Sequence, residues 1–137
     1  MKTVFVDTAA LIALGNKRDD LHQAAKDVRR ELVAYGCSFV TINLVLVELC
    51  NAFSQPPLRN VAIEMMEGIE HSSRWHIVDV DNMLFRESFS LYRSMSDKSW
   101  GLVDCASILV ARKLTISRVF TADRHFSQAG FEILLRV

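Results

Sequence analysis

The sequence predicts a three-layer α/β fold in which a central, mainly parallel sheet is flanked by helices. Short β-branched and aromatic runs recur along the chain, and most are separated by segments with helical spacing. Strands joined through helices pair in parallel, because a crossover must pack back onto the sheet. Composition agrees: 50% of the 137 residues are hydrophobic and 23% are charged, which is enough apolar surface for a core.

Thr3 to Val6 is the first strand, ending at Asp7; helical spacing then runs from Ala9 to Leu14 and stops at Gly15-Asn16. Asp20 to Tyr35 is amphipathic, with Leu21, Ala24, Ala25, Val28, Leu32 and Val33 on one side and Gly36 as its stop. Ser38 to Ile42 is a second strand, and Asn43 is placed to cap the helix carrying Glu48, which ends before Pro56-Pro57. Leu58 to Glu70 reads as a helix, Trp75 to Val80 as a strand, and Asn82 to Met95 as a helix. A helix from Asp104 to about Leu114, a strand from Ser117 to Thr121 and a short last strand from Phe131 to Leu135, after a turn at Gly130, complete the pattern. Nothing in it is a repeat or a linker, so residues 1–137 are expected to form a single domain.

Sixteen basic residues balance sixteen acidic ones. A neutral chain has no overall field for a polyanion, so any such ligand needs a local basic patch, a metal or a basic partner. Cys37, Cys50 and Cys105 are odd in number and set in apolar sequence, which predicts buried free thiols and a reducing, cytoplasmic setting. The N-terminus runs straight into a strand without a leader pattern, and no apolar run reaches the roughly 18 residues of a membrane span.

Against this background four acids stand out. Asp7 is the only charged residue between Lys2 and Lys17, Glu48 the only one between Glu31 and Arg59, and Asp104 the only one between Lys98 and Arg112. A carboxylate taken out of water must be paired, bound to a metal or protonated, and none of the three has a basic neighbour in sequence. The fourth, Asp123, follows a predicted strand as Asp7 does, at the end of a parallel sheet where ligands bind. Hard cations such as Mg²⁺ prefer oxygen donors, and acids gathered around one suit phosphodiester hydrolysis. Without a cation, carboxylates at close range repel and at least one keeps its proton.

Asp7-Thr8 after the first strand, the isolated Glu48, the segment Asp97-Lys98-Ser99-Trp100-Gly101-Leu102-Val103-Asp104-Cys105-Ala106-Ser107, and Thr121-Ala122-Asp123-Arg124-His125-Phe126 followed by Gly130-Phe131 together resemble the PIN domain family. The resemblance spans the chain and is closest to the single-domain VapC toxins of toxin-antitoxin pairs. It implies a three-layer PIN-like fold and a metal-dependent endoribonuclease of single-stranded RNA. In that reading Asp7, Glu48, Asp104 and Asp123 hold Mg²⁺ or Mn²⁺, with Asp7 and Asp104 central, and Thr8, Thr121 and Ser107 are candidates to orient them. It further implies a homodimer and a cognate antitoxin protein. The chain departs from the pattern at Gly101 and Val103, where relatives often carry hydroxyls. A catalytically inactive or weak PIN-like binding or regulatory module is therefore the alternative reading.

Plainer readings exist for each acid. Asp7 and Asp104 sit where a helix cap belongs, Glu48 is placed for a salt bridge to a distant arginine, and Asp123 beside Arg124 reads as a surface turn. His125 reads as structural, Asp97 as a solvated loop residue, and Ser107 as bonding its own helix backbone. Arg86, Arg93 and Lys98 form either a phosphate-binding edge or a solvated helix face. A haloacid-dehalogenase phosphatase would need a second aspartate where Ala9 stands, and a receiver domain would need an acidic pair and a late lysine that the chain lacks.

Overall fold

The computed structural model describes residues 2–136, among which five strands and seven helices alternate. In chain order they are β1 (Thr3–Val6), α1 (Thr8–Gly15), α2 (His22–Ala34), β2 (Ser38–Ile42), α3 (Asn43–Ala52), α4 (Leu58–His71), β3 (Trp75–Val78), α5 (Asn82–Ser94), α6 (Leu102–Lys113), β4 (Arg118–Phe120), α7 (Arg124–Gln128) and β5 (Glu132–Ile133). All pairings are parallel, in the order β3-β2-β1-β4-β5, with Phe5 of β1 opposite Val40 on one side and Val119 on the other. The predicted three-layer α/β fold is therefore present, and its sheet is wholly parallel.

Val4, Phe5 and Val6 are fully buried, as expected for a central strand covered on both faces. The chain winds outward from β1 to β2 to β3, then crosses back to β4 on the far side of β1. With right-handed crossovers, that reversal puts the helices before β3 on one face and those after it on the other. The helix packing divides the same way: α1 packs with α2, α3 and α4, while α6 packs with α5 and α7. In open parallel sheets ligands bind where the winding reverses, which here is beyond the ends of β1 and β4.

Local chemistry explains most element ends. Gly36, at φ 77°, closes α2 with paired bonds from the Gly36 and Cys37 N–H groups to the Val33 and Leu32 carbonyls. Gly15 ends α1 against Phe53; a Cβ there would stand 2.6 Å from the ring and 2.9 Å from the Met65 sulfur. Thr41, buried in β2, donates to the Val6 carbonyl at 2.8 Å and ties β2 to the end of β1.

Several expectations are corrected. Asn43 is the first residue of α3 and does not cap it; its Oδ1 accepts from the Val80 N–H at 2.9 Å, holding down the chain after β3. Helix α6 begins at Leu102, two residues before Asp104. Strand β3 ends at Val78, and β5 is confined to Glu132–Ile133. Helix α7 was not expected: its five residues are too few to show a period, and it is fixed by Asp123 at its start and the buried Phe126. All three cysteines are free, but only Cys37 and Cys105 are buried, while Cys50 is exposed on the outer side of α3.

Candidate active site

Asp7 leaves β1 directly beside the end of β4, and its backbone N–H donates to the Phe120 carbonyl at 3.2 Å. It occupies the cap position of α1, yet its side chain makes no capping bond. The carboxylate instead receives Thr121 Oγ1 at 2.9 Å, across 114 residues of sequence. Thr121 is fully buried, and the same oxygen accepts the Asp123 N–H at 3.1 Å, so one hydroxyl joins two of the acids. Thr8 donates to Glu48 Oε1 at 2.5 Å, which brings the third acid beside the first. Glu48 is half-buried in mid-α3, and its partner is this hydroxyl in place of the arginine that the plainer reading asked for.

Asp104 arrives from the opposite face as the third residue of α6, where its Oδ2 accepts the Gly101 N–H at 2.9 Å. His125 Nδ1 lies 2.8 Å from the same oxygen and 3.2 Å from Asp123 Oδ1. A carboxylate accepts only, so Nδ1 is the donor. Asp123 also caps α7 by accepting the His125 N–H at 2.9 Å. Ligand atoms of Asp104, Asp123 and His125 all fall within 4.8 Å of one another. Asp7 and Glu48 are outside that tight group; Thr121 joins Asp7 to Asp123, and Thr8, next to Asp7 in the chain, holds Glu48.

His125 is the residue that the sequence undervalued. Its neighbours Arg124 and Phe126 suggest an ordinary turn, and the one available signal was its place two residues after Asp123, where a helix start folds the ring back over the acid. Ser107 departs from expectation in the other direction. It is fully buried one turn after Asp104, and its Oγ makes no hydrogen bond among the described residues, either to its own helix or to the acids. Asp97 is solvated as expected, held below the usual carboxylate range by the hydrogen bond and charge of Lys98 at 3.1 Å.

The electrostatics identify Asp7 as the strained member. It is 5% exposed, and burial pushes its carboxyl up to about 7. The Thr121 hydroxyl and the Thr8 backbone pull it down, and the charges of Asp104 and Asp123 push it up again. Asp7 thus senses Asp104 and Asp123, and the ring nitrogen within reach of those two carboxylates belongs to His125, at 2.8 and 3.2 Å. Oxygen donors in excess of positive charge, converging from both faces of the sheet, fit a hard divalent cation.

Residues 4–132 match the family described as PIN domain. Among solved structures, the chain is similar to VapC20 of Mycobacterium tuberculosis, described as a sarcin-ricin loop cleaving toxin, with 27% identity and a TM-score of 0.82 over 98% of this chain and 99% of that one. It is also similar to FitAcB from Neisseria gonorrhoeae, at 15% identity and a TM-score of 0.64 over 95% of each chain, which is a likeness of fold. Among curated proteins no sequence matches.

Proposed function

The chain belongs to the PIN domain family, and on that premise we propose that it is a metal-dependent endoribonuclease, the VapC-type toxin of a toxin-antitoxin pair. One observation carries the reading: the Thr121 hydroxyl ties the buried Asp7 to Asp123, whose carboxylate stands within 4.8 Å of Asp104, so acids far apart in sequence meet at one place. A divalent cation held among these acids would offset the cost of placing them together. The likeness to VapC20 along nearly the whole of both chains supports the same class of activity.

In this reading Asp7 and Asp104 hold Mg²⁺ or Mn²⁺ from the two faces of the sheet, and Asp123 and Glu48 complete the cradle. A divalent ion, when bound, polarises a phosphoryl oxygen and makes water a stronger nucleophile. The chain's own residues do the positioning. Thr121 fixes Asp7 and keeps one of its oxygens engaged, Thr8 orients Glu48, and Gly101 N–H with His125 Nδ1 occupies Asp104 Oδ2. Residues 1–137 then act as one catalytic domain. A homodimer, a cognate antitoxin and a cytoplasmic location belong to the same proposal; the free thiols support the last.

Incubating the purified protein with structured and unstructured RNAs, in Mg²⁺ or Mn²⁺ and in EDTA, tests it. Cleavage of unstructured RNA should require the ion and fall at least ~100-fold in a folded Asp7→Asn variant. Cleavage unchanged by that substitution overturns the site. Gly101 and Val103, which put no hydroxyl beside Asp104, favour a second reading as an inactive binding module. RNA binding without cleavage in either ion would decide for it.

A further inference from the structure

The carboxylates do not explain the surface at the end of α5. Leu84, Ser88, Leu91 and Met95 turn toward the core, whereas the adjoining stripe of Phe85, Phe89 and Tyr92 is open to solvent at 42%, 39% and 47%. Positions three and four apart share a helix face, so these rings form one ridge. Phe89 and Tyr92 stack with centroids 6.2 Å apart and planes at 22°, and the Arg93 guanidinium lies 5.0 Å from the Phe89 centroid. Tyr92 and Arg93 line a groove of about 480 Å³ together with Lys98, Ser99, Trp100 and Gly101. The floor is fixed, because Trp100 is 5% exposed and its Nε1 donates to Gln128 at 2.9 Å.

The groove runs into the acid cluster. Gly101 donates to Asp104, and Ser99 Oγ stands 3.3 Å from His125 Nε2. A half-exposed aromatic ring, two cations and a hydroxyl therefore share one groove with Gly101, whose N–H reaches Asp104.

We propose that this groove is the path of a single-stranded RNA, with one base stacked on Tyr92, its flanking phosphates held by Arg93 and Lys98, and the adjoining phosphodiester delivered to the Asp104 side of the site. The inference rests on the nuclease reading above. A chain with no net charge has no general field for RNA, so its cations must be local, and these two line the groove that Gly101 joins to Asp104. Only an unpaired base exposes a face for stacking on a side chain. Arg93 is already docked on Phe89, which holds its planar fork for a phosphate at little ordering cost. Lys98 is paired with Asp97 at 3.1 Å, an exposed ion pair that phosphate readily displaces. The competing occupant is a second copy of this chain seated on the aromatic ridge; cations and a hydroxyl running into an acid cluster fit a nucleic acid better.

The test measures anisotropy of a fluorescein-labelled single-stranded oligoribonucleotide in EDTA, metal-dependent cleavage, and sedimentation velocity on the same proteins. Tyr92→Ala should weaken binding about 5- to 100-fold, and Tyr92→Phe should restore it. Replacing Arg93 and Lys98 by Ala should lower the salt slope of binding by about 0.7 for each phosphate that the protein no longer neutralises. In cleavage, these variants should raise KM more than they lower kcat. A wild-type protein that binds and cleaves RNA while the variants match it within twofold overturns the groove and leaves the nuclease reading standing. Neither binding nor cleavage by the wild type removes both. Conversion of a dimer to a monomer by Phe89→Ala, at unchanged RNA affinity per protomer, assigns the ridge to self-association and overturns the proposal.

Discussion

Asp7 is an acid that the fold ionises reluctantly. Its folded-state value of about 7 stands well above the ordinary 3.8, so between those pH values the folded protein holds a proton that the unfolded chain has released. Stability from this residue is therefore full below about pH 4, declines through the window up to about 7, and is lost beyond it. The whole effect is on the order of 4 kcal/mol before solvent relaxation reduces it. Urea unfolding of the metal-free protein should show this decline, and Asp7→Asn should flatten it while stabilising the metal-free fold above pH 7. Equal slopes for the two proteins would mean that the burial of Asp7 is compensated. Isolation in apolar sequence made Asp7 and Asp104 legible, since a lone charge in such a run demands a partner. The role of His125 was less legible: beside Phe126 it reads as structural, and only the folded backbone brings its ring to Asp104.

At the level of elements, α1 meets α3 and α4 through the absence of a side chain. Gly15 leaves no room for a Cβ beside the Phe53 ring, and although Met65 can bend away, Phe53 is 2% exposed and cannot. Gly15→Ala should destabilise by about 1–3 kcal/mol, read as a lower urea midpoint at unchanged m-value. The main elements were legible because each is long enough to display its period and most are bounded by Gly, Asn or Pro. Two features were not. Helix α7 depends on Phe126 packing against Phe5 and Phe131, with centroids 6.4 and 6.3 Å apart, neighbours that local sequence does not announce. Asn43 has the right chemistry for a cap, but a donor 37 residues away takes its oxygen.

For the molecule as a whole, the sequence announced parallel strands and not their order. It is the return from β3 to β4, on the far side of β1, that gathers acids from the end of β1, α3, α6 and the β4 loop at one rim. Because they gather without enough positive charge, a divalent cation should stabilise the whole fold. Saturating Mg²⁺ or Mn²⁺ at about 100 times its dissociation constant should add about 2.7 kcal/mol, with a larger rise in Tm at pH 8 than at pH 5.5, and EDTA should reverse it. An equal shift in Asp7→Asn would place the ion elsewhere. The same topology sets the order of events in synthesis. Asp7 is made well before its partners: Thr121, which fixes it, follows 114 residues later, and β4, which lies beside β1, comes just ahead of Thr121. A chain cut before β4 therefore carries Asp7, Glu48 and Asp104 without the strand and the hydroxyl that hold the first of them in place, and on the proposed reading such a piece should cleave nothing.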